Sequence, residues 1–353
     1  MKILVIQMKM IGDVLTSSIL FEALRKKYPE AELHYLIYKQ TQPVVENNPF
    51  IDKFILYEEK DKKPYQFIKF LNKIRKENYS IVIDVYSKIG SAFISFYSGA
   101  KIRISYDKKL TRYLYTDVFS RDIKAKTIAG PAIEKRLRLL NALGSAFPSE
   151  IKPKIYLTEK EINSARQLLD RAGLITKSPL FMISVLGSSK AKNYPQEYLA
   201  VLLDQIVEDT QGNLIFNYIP SQKEKAKAVY DLCNSKTQKA IHLEIFGKSL
   251  REFLALTAQC DALIGNEGGA VNMAKAIGIH CFAIFSPGVK KENWSMYDDD
   301  ITQVSVHLQD FIPEIFQNKS KKELHSLNAG FYTKFKPELI SAKLNQFLQR
   351  IKT

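Results

Sequence analysis

Apolar residues gather in short dense runs along the chain: ILVIQM at 3–8, LHYLIY at 33–38, KFILY at 53–57 and SIVIDVY at 80–86. With so few polar positions, each run reads as a strand covered on both faces, the habit of a parallel sheet under helices. Between the runs, over 14–27 and 65–77, the spacing changes to a helical stripe. A second series repeats the alternation, with strands at 180–187, 213–219, 240–244, 262–265 and 281–286 and helices at 195–209, 221–233, 250–259 and 269–277. This pattern predicts an α/β fold built from two Rossmann-like halves. SAFPSEIKPKIYLTEKE (145–161), with two prolines and a charge run, suits a linker. The domains are therefore expected at 1–155 and 156–335. Over 336–353, Leu339, Ile340, Leu344, Phe347, Leu348 and Ile351 fall at helical spacing, and this helix is expected to pack back on the first domain.

A length of 353 residues suits two cores of this kind. Three scattered cysteines, Cys233, Cys260 and Cys281, show no CxxC spacing, so neither a disulfide framework nor a zinc site is expected. The opening MKILVIQMK is interrupted too early for a signal-peptide core, and no uncharged apolar run reaches a membrane span; a cytoplasmic protein is expected. The formal charge of +15 changes the picture, because a basic surface attracts nucleic acid, anionic lipid and phosphorylated substrates alike. Residues 1–150 hold 26 Lys and Arg against 16 Asp and Glu, and residues 151–353 hold 26 against 21, so the excess lies mainly in the first half.

Two facing α/β domains make a cleft, and ligands of open sheets bind beyond the carboxyl ends of the strands. After the first strand of the second half comes VLGSSKAKNYPQEY (185–198). Gly187, Ser188 and Ser189 offer unhindered amides and hydroxyls, while Lys190 and Lys192 add positive charge, as a diphosphate site requires. A solvated basic loop is the alternative. A second turn, LIGNEGGAVNMAKAIG (263–278), places Gly268 and Gly269 at a helix start whose amides favour an anion, with the acid Glu267 beside them. A carboxylate there is unfavourable to phosphate but can accept hydrogen bonds from sugar hydroxyls; a helix-start acid with a glycine turn is the plainer reading. Neither turn is GxGxxG or GxxxxGK[ST], which removes support for dinucleotide oxidoreductases and P-loop hydrolases. In the first half, QMKMIGDVLTSSIL (7–20) puts Asp13 at a strand end. Across the cleft from a nucleotide sugar it could take a proton as general base, or serve only as an acid in a first helical turn.

Together these motifs resemble the heptosyltransferases of lipopolysaccharide core synthesis, glycosyltransferase family 9. ILVIQMKMIGDVLTSSILFEALRKKYPEAELHYLI is similar to the family's first block, GSSKAKNYPQEYL to its diphosphate loop, and IGNEGGAVNMAKAIGIHCFAIFSP to its donor motif. The resemblance implies a GT-B fold, inverting metal-independent transfer without a cofactor, and ADP-L-glycero-D-manno-heptose as the substrate nucleotide sugar. It implies that Asp13 is the base and that Ser188 and Lys192 hold the leaving diphosphate. It further implies that Gln222 stands where the family often has an acid near the ribose, and that Gly247, Ser249 and Leu250 lie against the base. Where the family shows Asp, Ser or Thr, Gly and then His, this chain has Glu267, Gly268, Gly269 and Asn272, so sugar and phosphate contacts must be re-spaced.

The acceptor implied is a Kdo-bearing lipid A at the inner leaflet, an anionic molecule. Lys9, Gly12, Lys101, Arg103, Lys108 and Arg112 are the candidates for holding it; residues 101–138 carry eleven Lys and Arg against four acids. A solvated basic face and a peripheral contact with the leaflet would use the same charges. The expected protein is a monomer without nucleic-acid partners. A transferase using another nucleotide sugar, or a nucleotide-sugar epimerase or hydrolase, is the alternative.

Overall fold

The computed structural model describes every residue except 146, 188, 318, 320–322, 325–327 and 352–353. The chain divides into two compact units, Met1–Tyr156 and Leu157–Thr353.

In the first unit, β1 (Lys2–Ile6), β2 (Glu32–Tyr38), β3 (Lys53–Tyr57), β4 (Ile81–Asp84), β5 (Ile102–Tyr106) and β6 (Asp117–Phe119) form a parallel sheet in the order β3-β2-β1-β4-β5-β6. The apolar runs become strands because both their faces are covered: Ile3 to Ile6, Leu33 and Leu36 are all buried. The helices are α1 (Ile11–Ser17), α2 (Ile19–Lys27), α3 (Pro64–Lys76), α4 (Ile89–Tyr97) and α5 (Pro131–Arg138). The single helix expected over 14–27 is two. Thr16 Oγ1 donates to the Gly12 carbonyl at 2.6 Å and Ser18 Oγ to the Leu15 carbonyl at 2.7 Å, and back-bonding hydroxyls of this kind bend a helix. Strands β5 and β6 were not anticipated, being short, partly polar and set in the most basic stretch of the chain.

The second unit runs α6 (Glu159–Arg171), β7 (Leu180–Ser184), α7 (Gln196–Thr210), β8 (Asn213–Phe216), α8 (Lys223–Leu232), α9 (Ser235–Ala240), α10 (Leu250–Thr257), β9 (Ala262–Asn266), α11 (Gly269–Ile277), β10 (His280–Ile284) and β11 (Gln303–Val306), with a parallel sheet in the order β11-β10-β9-β7-β8. The strand expected at 240–244 is a single bridge from Ile241 to Leu214, because α9, capped by Asn234, extends through Ala240. The last helix, Pro337–Ile351, does not follow the expectation that it packs on the first domain. Its stripe of Ile340, Leu344, Phe347 and Leu348 is buried in the core of the second unit. The Phe347 ring lies 5.5 Å from that of Phe282, and Gln205 of α7 donates to Asn345 at 2.7 Å. Among the described residues no helix is long and apolar enough to cross a membrane.

Each sheet contains one point where strand order reverses, between β1 and β4 and between β7 and β9. A crevice forms at such a point beyond the carboxyl ends of the strands. The turns that sequence analysis singled out, after β1, β7 and β9, are the ones placed there.

Candidate active site

In the second unit the site is organised by Asn266, the last residue of β9, which sequence reasoning passed over. Its side chain is buried; Nδ2 donates to the carbonyls of Ser184 and Val185, both at 3.0 Å, and Oδ1 accepts from the Tyr194 amide at 2.6 Å. One amide thus ties the end of β7 to the turn that follows it. A polar residue closing the apolar run ALIGN is the signal that could have found it. Gly265, at φ +128°, lets β9 and β7 come this close: a Cβ there would meet the Ser184 carbonyl oxygen at 2.6 Å.

The turn after β7 folds on itself. The Gly187 amide donates to Asn193 Oδ1 at 2.8 Å, and a Cβ on Gly187 would meet the Lys192 carbonyl at 2.6 Å. This closure aims Lys192 across to the next turn, where Nζ pairs with Glu267 Oε1 at 2.7 Å. Glu267 is buried and Lys192 half-buried, so the carboxylate holds the ammonium and the ammonium faces outward. Gly268 caps α11 and Gly269 opens it, leaving amides without acceptors in the helix, and Asn272 lies one turn on, its own amide bonded to the Gly268 carbonyl. Ser189 precedes the short helical turn that contains Lys192 and is exposed; Ser188 lies outside the described residues.

Around the edge of the same sheet, Gln222 Oε1 accepts from the Ile219 amide at 3.2 Å, closing the turn after β8. Ser249 caps α10, its hydroxyl accepting from the Glu252 amide at 3.2 Å, with Leu250 the first helical residue and Gly247 pressed against the Phe253 backbone. Tyr218 and Phe246 join the two segments with rings stacked 4.9 Å apart. This pair also escaped sequence reasoning, because its members lie 28 positions apart.

In the first unit Asp13 sits in the first turn of α1, as the plainer reading expected, with Oδ2 3.5 Å from the Met10 amide. Its other oxygen accepts from Arg136 Nη2 at 2.6 Å. Arg136 is buried; Nε donates to Ser17 Oγ at 2.9 Å and Nη1 to the Ala132 carbonyl at 2.6 Å. The guanidinium is therefore anchored at three points and presents Asp13 in one orientation. Separated from Asp13 by 123 positions, Arg136 carries no local signal of its role.

Further cations stand beyond β4, β5 and β6. Burial pushes the Lys135 ammonium down to about 8, reinforced by Arg136 and Arg121 and opposed by Asp13. Burial, with Arg121 and Lys88, also lowers Lys108, whose Nζ bonds the Ser87 carbonyl. Asp84, at the end of β4, accepts from the Tyr115 hydroxyl at 2.6 Å and the Ser87 amide at 2.8 Å, and burial raises its carboxyl to about 6 despite those bonds. Of the expected acceptor residues, Gly12 lies in the Asp13 turn, Lys9 lies over the Tyr38 ring and Lys108 belongs to the cation group. Arg112 pairs with Asp107 at 3.6 Å. Lys101 and Arg103 depart from the expectation. They lie at the amino end of β5, opposite the Asp13 turn, and Arg103 donates to the Leu114 and Ala100 carbonyls at 3.0 and 2.5 Å.

The sequence profile of glycosyltransferase family 9 (heptosyltransferase) matches residues 67–324. Lipopolysaccharide heptosyltransferase 1 of Campylobacter coli is 26% identical over 293 residues, covering 81% of this chain and 84% of that protein. A family 9 glycosyl transferase structure from Veillonella parvula superposes with a TM-score of 0.76 at 19% identity, over 99% of this chain and 97% of that one. An E. coli ADP-heptose lps heptosyltransferase II structure superposes at 0.74 and 17% identity, over 100% of both chains. These structures share the two-sheet α/β architecture, and the fold is GT-B. With its profile matched over residues 67–324, in both units, the chain belongs to glycosyltransferase family 9 (heptosyltransferase).

Proposed function

We propose that the protein is an inverting, metal-independent transferase moving a heptose from ADP-L-glycero-D-manno-heptose to a hydroxyl of the Kdo/heptose inner core of lipopolysaccharide. The observation that carries this reading is a pair of oppositely arranged ion pairs: Arg136 holds Asp13 outward in one unit, and Glu267 holds Lys192 outward in the other.

In this mechanism Asp13 accepts the proton of the acceptor hydroxyl, whose oxygen attacks the anomeric carbon as its bond to the diphosphate oxygen breaks. Lys192 and the first amides of α11 meet the charge left on ADP, donors fixed in place before the reaction. A single displacement inverts the anomeric centre. The crowd of Lys88, Lys108, Arg121 and Lys135 suits an acidic or phosphorylated acceptor, since an anion would offset both the burial and the neighbouring positive charge that lower Lys108 and Lys135. Glu267 and Asn272, where the family has Asp and His, favour a second reading in which a different sugar is transferred by the same steps.

Nucleoside-diphosphate release from a panel of nucleotide sugars, with and without Kdo-bearing lipid A, tests both. Acceptor-dependent ADP release from ADP-heptose is expected. Release only from another nucleotide sugar would replace the donor, and turnover without acceptor would make the protein an epimerase or hydrolase.

A further inference from the structure

Helix α4 is built inside out. A surface helix normally turns its apolar stripe to the core and its polar residues to water. Here the buried face carries Ser91, Ser95 and Ser98 with Ala92 and Ile94, while Ile89, Phe93, Phe96 and Tyr97 are exposed. Two of these hydroxyls are satisfied locally: Ser91 Oγ donates to the Lys88 carbonyl at 2.9 Å and Ser98 Oγ to the Ser95 carbonyl at 2.6 Å. With the serine face turned to the interior, the aromatic row is left on the outside.

The neighbours of α4 extend the row. The segment joining β5 to β6 packs its short helical turn, Arg112–Leu114, against α4, and there Leu110 is 86% and Tyr113 84% exposed. On the other flank, Asn72 Oδ1 of α3 accepts from the Tyr97 hydroxyl at 3.4 Å and Arg75 Nη1 donates to the Tyr97 carbonyl at 3.4 Å. One turn earlier on that face of α3 is the exposed Ile68. Cations surround this apolar surface. Residues 64–113 hold ten Lys and Arg against three acids, of which Asp84 is buried and Asp107 and Glu77 are paired with cations. Lys88, Lys101, Lys109 and Arg112 are exposed along it, and the Arg103 guanidinium lies over the Phe96 ring at 5.8 Å.

An exposed apolar patch of this extent marks an interaction surface. Aromatic and aliphatic side chains projecting from a rim of lysine and arginine match the boundary of an anionic bilayer, where the rings enter below the headgroups and the ammonium groups meet lipid phosphates. A protein partner would have to be apolar and strongly acidic together. We propose that the outward face of α4, with Leu110, Tyr113 and Ile68, docks the protein on an anionic membrane surface. Lys101 and Arg103, remote from the Asp13 turn, belong to this face. Because α4 begins directly beyond β4, a protein docked there holds the carboxyl end of the first sheet close to the lipid. The proposal stands whichever sugar is transferred.

The test is co-sedimentation of the full chain with phosphatidylcholine vesicles and with vesicles containing 30% phosphatidylglycerol, across a salt series. Partitioning at least tenfold stronger on the anionic vesicles, weakening with salt, is expected. Phe93→Ser with Phe96→Ser should lower it about tenfold with the thermal melt retained. Lys101→Gln with Lys109→Gln should reduce it and flatten the salt dependence, and this second pair decides the matter if the serine variant does not fold. Equal binding by the wild-type and charge variants, absence of binding to anionic vesicles, or a wild-type dimer that the serine pair makes monomeric without changing vesicle binding would each overturn the proposal.

Discussion

The turn carrying Asp13 and the turn carrying Glu267 are built from the same parts with the roles exchanged. Each follows a strand at a switch point, and each joins a carboxylate to a cation far away in sequence. In the first unit the cation is interior, Arg136 being 3% exposed and the Asp13 side chain 31%. In the second the carboxylate is interior, Glu267 being 7% exposed and Lys192 33%. The buried member of each pair fixes the orientation of its partner, and the partner sets the sign of charge offered to a ligand. Arginine suits the interior role, since its planar fork satisfies Ser17, Ala132 and Asp13 together. Lysine suits the outer role, a compact point charge on a flexible stem. Motif spelling alone shows two acids at two strand ends, whereas burial shows one acid partly exposed on a buried arginine and one buried acid holding a lysine.

That contrast breaks most visibly at its outward members. Asp13→Asn keeps the shape but loses the proton acceptor, and kcat should fall by about 10²–10⁴ with nucleotide-sugar affinity retained, as a general base requires. Competition binding beside a turnover assay checks it, and a variant retaining more than a tenth of the wild-type rate would remove Asp13 from that role. Lys192→Met should lower kcat by about 10²–10³ and also strand a buried carboxylate. Adding Glu267→Gln should then restore thermal stability without restoring the rate; recovery of both would make the pair structural.

A smaller effect sharpens the comparison at a third carboxylate, Asp84, which is interior like Glu267 but faces hydroxyl and amide donors in place of a paired cation. Its carboxyl is raised from 3.8 to about 6, so the folded state binds its proton more tightly than the unfolded chain. Stability from this group is full below about pH 4 and is lost as the pH rises through 6, a change of up to about 3 kcal/mol. Asp84→Asn should flatten that part of the stability profile, measured by urea unfolding between pH 4 and 7, and an unchanged slope would assign it to other groups.

The alternation of apolar runs determined the α/β class and the position of most elements, because a strand covered on both faces leaves a continuous apolar word in the sequence. The same patterning marked the last helix but could not tell which core it would enter; Phe282 and the face of α7 decided that. Glycines beside Lys192 and Glu267, and an acid after the first strand, were legible as turn chemistry because small residues and charges at strand ends are local signals. Arg136, Asn266 and the Tyr218–Phe246 stack were not, since each acts through a residue distant in sequence and looks ordinary alone. Lys101 and Arg103 looked like ligand-binding cations in a basic stretch, yet parallel register places them at the wrong end of β5. Helix α4 shows the limit most plainly. Like β5 and β6 it was not anticipated, and only the tertiary structure decided that the serines of IGSAFISFY face the core and its phenylalanines face outward. Sequence records which residues can share a face; which face is covered depends on what the rest of the chain brings against it.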